Sequence, residues 1–157
     1  MNTMSVETPP PQELCPYLTV AGAADAIDFY IRAFGAKVDF KLVDPEDQRI
    51  GHAELRFGST RLFISDEYPD FGATSPETIG GSPVKMHLQV EDADAFAAHA
   101  VEQGATVLRS VKLEFHGSRI GMLGDPFGYS WFICSKAEDV SPDEMQDRWN
   151  EEDGHAS

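Results

Sequence analysis

The sequence is short of cysteine, of positive charge and of long apolar runs, and each shortage removes a class of function. Only Cys15 and Cys134 occur among 157 residues. They stand far apart and form no Cys-x-x-Cys, which excludes a disulfide framework and a four-cysteine zinc site and leaves two free thiols on strands as the expectation. Twelve Lys and Arg face 27 Asp and Glu, a formal net charge of -15. Such a surface repels nucleic-acid phosphates and anionic lipid headgroups, so no nucleic-acid partner and no membrane partner is expected. No apolar stretch approaches the roughly 18 residues of a membrane span, and the opening residues MNTMSVETPPPQEL carry neither the basic nor the apolar region of a secretory signal. Together these absences point to a cytoplasmic protein. At 41% hydrophobic content the chain can bury a core as one domain without cross-links or metal staples.

What is present is a repeat. Arg49 to Ser65 reads RIGHAELRFGSTRLFIS and Arg119 to Ser135 reads RIGMLGDPFGYSWFICS, keeping Arg-Ile-Gly at the start, Phe-Gly in the middle and Ser at the end. A self-match of that length is a duplication, and it organises the rest of the chain. Residues 1–13, with Pro9-Pro10-Pro11, read as a disordered leader. Residues 14–65 form the first module. CPYLTV gives a strand, and Gly22 to Phe34 gives an amphipathic helix with Ala23, Ile27, Tyr30, Ile31 and Phe34 inward, stopped by Gly35. Three strands follow, the last two joined at Gly58-Ser59. Residues 66–84 are a Pro/Gly/Ser-rich linker. Residues 85–137 repeat the order β-α-β-β-β, with Asp125-Pro126-Phe127-Gly128 as a turn of different chemistry. The tail, 138–157, opens on Ser141-Pro142-Asp143-Glu144, a capping box for a short helix that docks through Met145 and Trp149 and ends in an acidic run.

A single β-α-β-β-β unit cannot close a core, so two must pair, giving an α+β fold whose sheet faces away from the helices form a cup. The motifs PYLTV, AIDFYIRAFGA, GHAELRFGSTRLFISDE, GGSP, HLQVEDADAF, GATVL and DPFGYSWFI resemble the vicinal oxygen chelate superfamily of glyoxalases, bleomycin-resistance proteins and extradiol dioxygenases, most closely its PhnB-like branch. The resemblance runs from Pro16 to Met145. It implies two tandem βαβββ modules forming a curved mixed sheet cup with helices on the outer face. It also implies homodimerisation, with exchange of modules permitted by the 66–84 linker.

Superfamily enzymes hold a divalent metal with a His, Glu or Gln from the first and last strand of each module. By this resemblance those positions fall on Cys15, Leu62, Lys85 and Phe132, a set without the usual donors, so no metal and no cofactor are expected there. Alternation places His52, Glu54 and Arg56 on the cup face of the third strand. Tyr17 and His87 are equivalent in the two modules and join them, with Phe132 as an apolar wall. Two readings of this set stay open. Glu54 is a general base or ligand anchor with His52 or His87 as proton partner, or it pairs with Arg56, Arg61 or Arg119 and the histidines satisfy backbone groups. A divalent metal relocated to His52, Glu54 and His87 is a further alternative. His52 and Glu54 are matched in the second copy by Met122 and Gly124, which makes the site polar in one module and apolar in the other. Trp131 is expected under a helix or between subunits, His99 and His155 in solvent, and His116 at the rim. Three function classes follow: a metal-free protein binding a small, partly apolar molecule, a lyase or dioxygenase-type enzyme, and a structural or regulatory interaction module.

Overall fold

The structure, a computed structural model, describes residues 10–152. Most of the leader and the last five residues, His155 included, lie outside that range. The first module contains β1 (Tyr17–Val20), α1 (Ala23–Phe34), β2 (Lys37–Val43), β3 (Ile50–Phe57) and β4 (Thr60–Asp66). The second contains β5 (Lys85–Gln89), α3 (Ala93–Glu102), β6 (Thr106–Leu113), β7 (Ser118–Gly124) and β8 (Ser130–Lys136). The duplicated β-α-β-β-β order is thus present twice. Each module is a separate four-stranded mixed sheet, in the orders β1-β4-β3-β2 and β5-β8-β7-β6. The outer pair β1 and β4 is parallel, as is β5 with β8, and the other pairs are antiparallel.

Helix α1 starts because Asp66, at the end of β4, accepts from the backbone N–H groups of Gly22 and Ala23 at 3.1 and 2.8 Å, donors that a helix start leaves unpaired. In the second module Ser135 does the same for Ala93 at 3.0 Å. Gly35, at φ 74°, ends α1 in the left-handed conformation that a glycine adopts without strain.

One cluster of buried side chains runs through both modules. Helix α1 packs on its own sheet and on α3, and His99 of α3, exposed as expected, also bonds the carbonyl of Arg32 at 2.7 Å and so joins the two helices. This double packing widens the buried arc of α1. Ala26, Phe29 and Ala33 are buried with the expected Ala23, Ile27, Tyr30 and Phe34, while Ile31, expected inward, is exposed. Trp131 of β8 is buried under α1 against Tyr30 and Phe34, with Phe57 of β3 on another side. A buried tie between the modules is Asp125, at the start of the β7–β8 turn. Its Oδ2 accepts from the Tyr30 hydroxyl at 2.5 Å and from Trp131 Nε1 at 2.9 Å. Its Oδ1 accepts from the backbone of Phe127 and Tyr129.

The 66–84 segment is ordered. After the end of β4 it makes a Tyr68–Ala73 bridge, a 3-10 turn at Pro69–Phe71 and the short helix α2 (Pro76–Ile79), capped by Ser75. Glu67 anchors it by accepting from Ser75 and Thr78 at 2.9 and 2.7 Å, bonds that hold its carboxyl below the usual carboxylate range. Helix α4 (Pro142–Glu151) carries the expected cap, Ser141 Oγ accepting from the Glu144 N–H. It docks through Trp149 on Phe115 and through Arg148 on the Phe115 carbonyl. Cys134 lies buried on β8, and Cys15 sits just before β1 instead of on a strand.

Candidate functional site

Burial alternates along β3, with Ala53 and Leu55 in the core and His52 and Glu54 on the opposite face. Tyr17 and Thr19 of β1 take that face too, because Leu18 and Val20 are buried. The Tyr17 hydroxyl lies 2.7 Å from His52 Nδ1, and His52 Nε2 lies 3.0 Å from Glu54 Oε2. Glu54 Oε1 then accepts from Arg61 at 3.2 Å, and Arg61 meets Glu13. Arg56 pairs with Asp39 and Arg119 with Asp94, so of the three arginines expected near Glu54 only Arg61 reaches it. The rings of Phe40 and Phe63 pack on His52, and Phe63 also meets Tyr17 edge-on. Burial raises the pKa of the Tyr17 hydroxyl, the hydrogen bond with the Ser65 hydroxyl opposes part of the rise, and the Glu54 charge adds a smaller one. Tyr17 therefore stays protonated at neutral pH.

Tyr17 is also the wall of a cavity of about 810 Å³. Leu42, Val43 and Asp44 at the end of β2, Gly51 and Ser65 on β3 and β4, and Tyr68 and Phe71 of the 66–84 segment complete it. Every lining residue comes from the first module or the segment after it. The aromatic and aliphatic walls are open to solvent, Tyr17 at 51%, Leu42 at 60% and Phe71 at 87%. A pocket of this size, apolar at Leu42, Val43 and Phe71 and polar at Asp44, Ser65 and the tyrosine hydroxyls, has the proportions of a small-molecule site. Sequence reasoning missed the walls at Leu42, Tyr68 and Phe71. The available signal was an aromatic pair inside a segment otherwise read as linker.

His87 and Phe132 form a second group, their rings 6.3 Å apart on paired positions of β5 and β8. They do not line the cavity at Tyr17. Within one chain the set Tyr17, His52, Glu54, His87 and Phe132 is therefore split between two sheets. A smaller cavity of about 480 Å³ at the junction of the modules is lined by Cys15, Leu62, Lys85 and His87 among others. His116 sits in the β6–β7 turn against Phe115.

Strand register corrects one equivalence. Tyr17 pairs with Phe63, and His87 pairs with Phe132, so Phe63 and not Leu62 is the counterpart of Phe132. Leu62 is buried on the core face. The slip arises at the hairpins: Phe57 pairs with Thr60 across two residues, whereas Gly124 pairs with Ser130 across five. Matching Gly58 to Gly128 therefore misaligns the return strands. By the same register His52 and Glu54 correspond to Ile120 and Met122, not to Met122 and Gly124.

A family model for the glyoxalase/bleomycin resistance protein/dioxygenase superfamily matches residues 14–133. The chain belongs to that superfamily. It is 36% identical over 148 residues to Rv0887c, an uncharacterized protein of Mycobacterium tuberculosis, covering 92% of this chain and 85% of that one. Among solved structures, the At5g48480 gene product of Arabidopsis thaliana matches with TM-score 0.63 and 28% identity, over 81% of this chain and all but 2% of that one (98%). The PhnB protein of Bacillus cereus matches with TM-score 0.61 and 17% identity, covering 79% and 99%, which speaks for the fold.

The metal that superfamily enzymes carry does not fit the residues here. With the register corrected, the four positions are Cys15, Phe63, Lys85 and Phe132, and two phenyl rings and an ammonium offer no lone pair to a divalent cation. The relocated set fares no better within the chain, because His52 and Glu54 touch each other while His87 lies on the other sheet. Among the described residues no three His, Cys, Asp or Glu side chains are grouped to hold a metal ion.

Proposed function

We propose that this superfamily member binds a small, partly apolar molecule in the cavity at Tyr17, without the usual metal ligands. The observation that carries this reading is the cavity itself: about 810 Å³, walled by Leu42, Val43, Tyr68 and Phe71, with the Tyr17 hydroxyl as a polar pole. An open cavity of that kind weighs against a purely structural or regulatory module. The test is a thermal-shift screen of small aromatic and aliphatic metabolites on the whole chain. A true ligand raises the melting temperature in proportion to its concentration over Kd. Leu42→Asp replaces an exposed wall and is expected to weaken that ligand about tenfold or more, since a buried leucine contact contributes about 1.5–3 kcal/mol. If no compound stabilises the protein, or if the aspartate leaves affinity unchanged, the cavity is not the site.

The reading includes a homodimer in the cytoplasm. Its support is the exposed apolar face around Tyr17, Phe40 and Leu42, together with the separation of His87 and Phe132 from that face in one chain. A second copy can bring its own second module over the open cavity. The expected mass in solution is twice the 17.3 kDa of one chain, and a single-chain mass at all concentrations would remove the dimer while leaving the cavity in place.

A further inference from the structure

The geometry points to a proton relay in which Tyr17 takes a proton from an acidic C–H, N–H or O–H of the molecule in the cavity and passes its own to His52. This rests on the cavity reading above and assigns the cavity a reaction. The order of the hydrogen bonds is set by the residues. Glu54, held by Arg61 at 3.2 Å, is an acceptor when ionised, so the 3.0 Å contact to His52 requires the hydrogen on Nε2. A neutral ring then has Nδ1 free as an acceptor, and the 2.7 Å contact there makes Tyr17 the donor. The phenolic oxygen, beside the Ser65 hydroxyl, has a further lone pair for a donor in the cavity that it lines.

In the step, the X–H bond of the bound molecule breaks and its electron pair stays on the molecule. The proton forms a new bond to the Tyr17 oxygen while the original hydroxyl proton moves to His52 Nδ1. The imidazolium so formed lies against the Glu54 carboxylate, which stabilises it. Tyr17 is the catalytic residue, while His52 and Glu54 act through it. Glu54 is mostly buried beside His52, tied to Arg61, and does not line the cavity, so it is not the base itself. The groups facing His52 are Tyr17 from β1 and Glu54 from its own strand, with Arg61 of β4 behind. Phe40 and Leu42 of β2 and Phe63 of β4 carry no charge. Protonation of His52 from solvent therefore switches the relay off.

The test uses the whole chain with a nitrobenzisoxazole, a small flat carbon acid. Loss of its ring C–H proton breaks the N–O bond and releases a coloured nitrophenolate, so the relay is read without knowing the natural ligand. The expected result is saturable acceleration that falls on acidification, dropping at least about tenfold in Tyr17→Phe and in His52→Gln, within the range of positioned acid–base groups. In Glu54→Gln the pH profile moves, which a merely structural loss would not produce. Probe binding is followed separately by amide shifts of Thr19 and Ser65. Shifts without acceleration, or acceleration unchanged in Tyr17→Phe, overturn the relay and leave the binding site standing. Absence of both shifts and acceleration overturns both.

Discussion

Replacing Asp125 by alanine is expected to lower the stability of the whole chain by about 3–5 kcal/mol, the range for removing a buried charged partner. The carboxylate holds four donors at once: the Tyr30 hydroxyl, the Trp131 indole N–H and the backbone N–H groups of Phe127 and Tyr129. Tyr30 and Trp131 are buried, so water does not take the place of the lost oxygens, and each stranded donor costs about 1–3 kcal/mol. The Tyr30 hydroxyl cannot ionise to adapt, since burial first, and Asp125 second, hold its pKa well above the usual phenol value. Asparagine is a poor substitute because its amide would point a donor at donors. Tyr30→Phe removes one donor and keeps the anion satisfied by three, so its loss is smaller, about 1.5–3 kcal/mol. Urea unfolding with unchanged m-value measures both. A loss under about 1 kcal/mol for the alanine variant would mean that the modules are held by ring packing and the remaining bonds, such as Tyr129 to Thr19 and His99 to Arg32, without Asp125. The site depends on this tie only indirectly: α1 supports the back of the sheet whose front carries Tyr17, His52 and Glu54.

The duplicated order of elements was legible because hydrophobic periodicity and the Arg-Ile-Gly and Phe-Gly repeats are local signals, and all eight strands with α1 and α3 followed from them, while α4 followed from its capping box. The facing of Tyr17, His52 and Glu54 was equally legible, since period two on β3 needs only Ala53 and Leu55 to find the core. What was not legible depended on distances between strands. Leu62 was assigned to the open face because two hairpins of different length were aligned on their glycines, an error that only pairing register exposes. Ile31 was assigned inward because one face of a helix was assumed to be buried, whereas contact with α3 rotates the buried arc toward Phe29 and Ala33. Joining His87 and Phe132 to Tyr17 assumed that both sheets of one chain close a common cavity. Nothing in periodicity reports how two modules face one another. The choice of Arg61 among three arginines near Glu54 is likewise a matter of reach, settled once Asp39 and Asp94 are seen to take the other two.

Gly121→Ala is expected to cost about 1–3 kcal/mol through overpacking, while Gly51→Ala, which carries the same letter in the repeated Arg-Ile-Gly but by strand register stands two residues away from Gly121's own counterpart Ala53, changes stability by no more than about 0.5 kcal/mol. The two glycines sit at strand irregularities of opposite sense. Met122 pairs with Arg109 and Ile120 with Lys112, so two residues of β6, Ser110 and Val111, bulge against the single Gly121. A methyl group there would lie 2.9 Å from the Arg109 carbonyl oxygen and 2.8 Å from the Val111 side chain. Backbone cannot move aside as a side-chain tip does, so β6 must separate from β7. In the first module His52 pairs with Leu42 and Ile50 with Val43. Here Gly51 is itself the extra residue, and its methyl would meet only the Tyr68 hydroxyl at 3.6 Å. Equal losses in the two variants would show that the bulge opposite Gly121 relaxes freely. The asymmetry bears on function as well as stability. The unopposed Gly51 leaves room beside Tyr17 and Tyr68 and forms part of the cavity wall, while Gly121 is spent on letting β6 close over β7. The same three letters thus sit two residues apart in strand register, opening a pocket in the first module and tightening a sheet in the second.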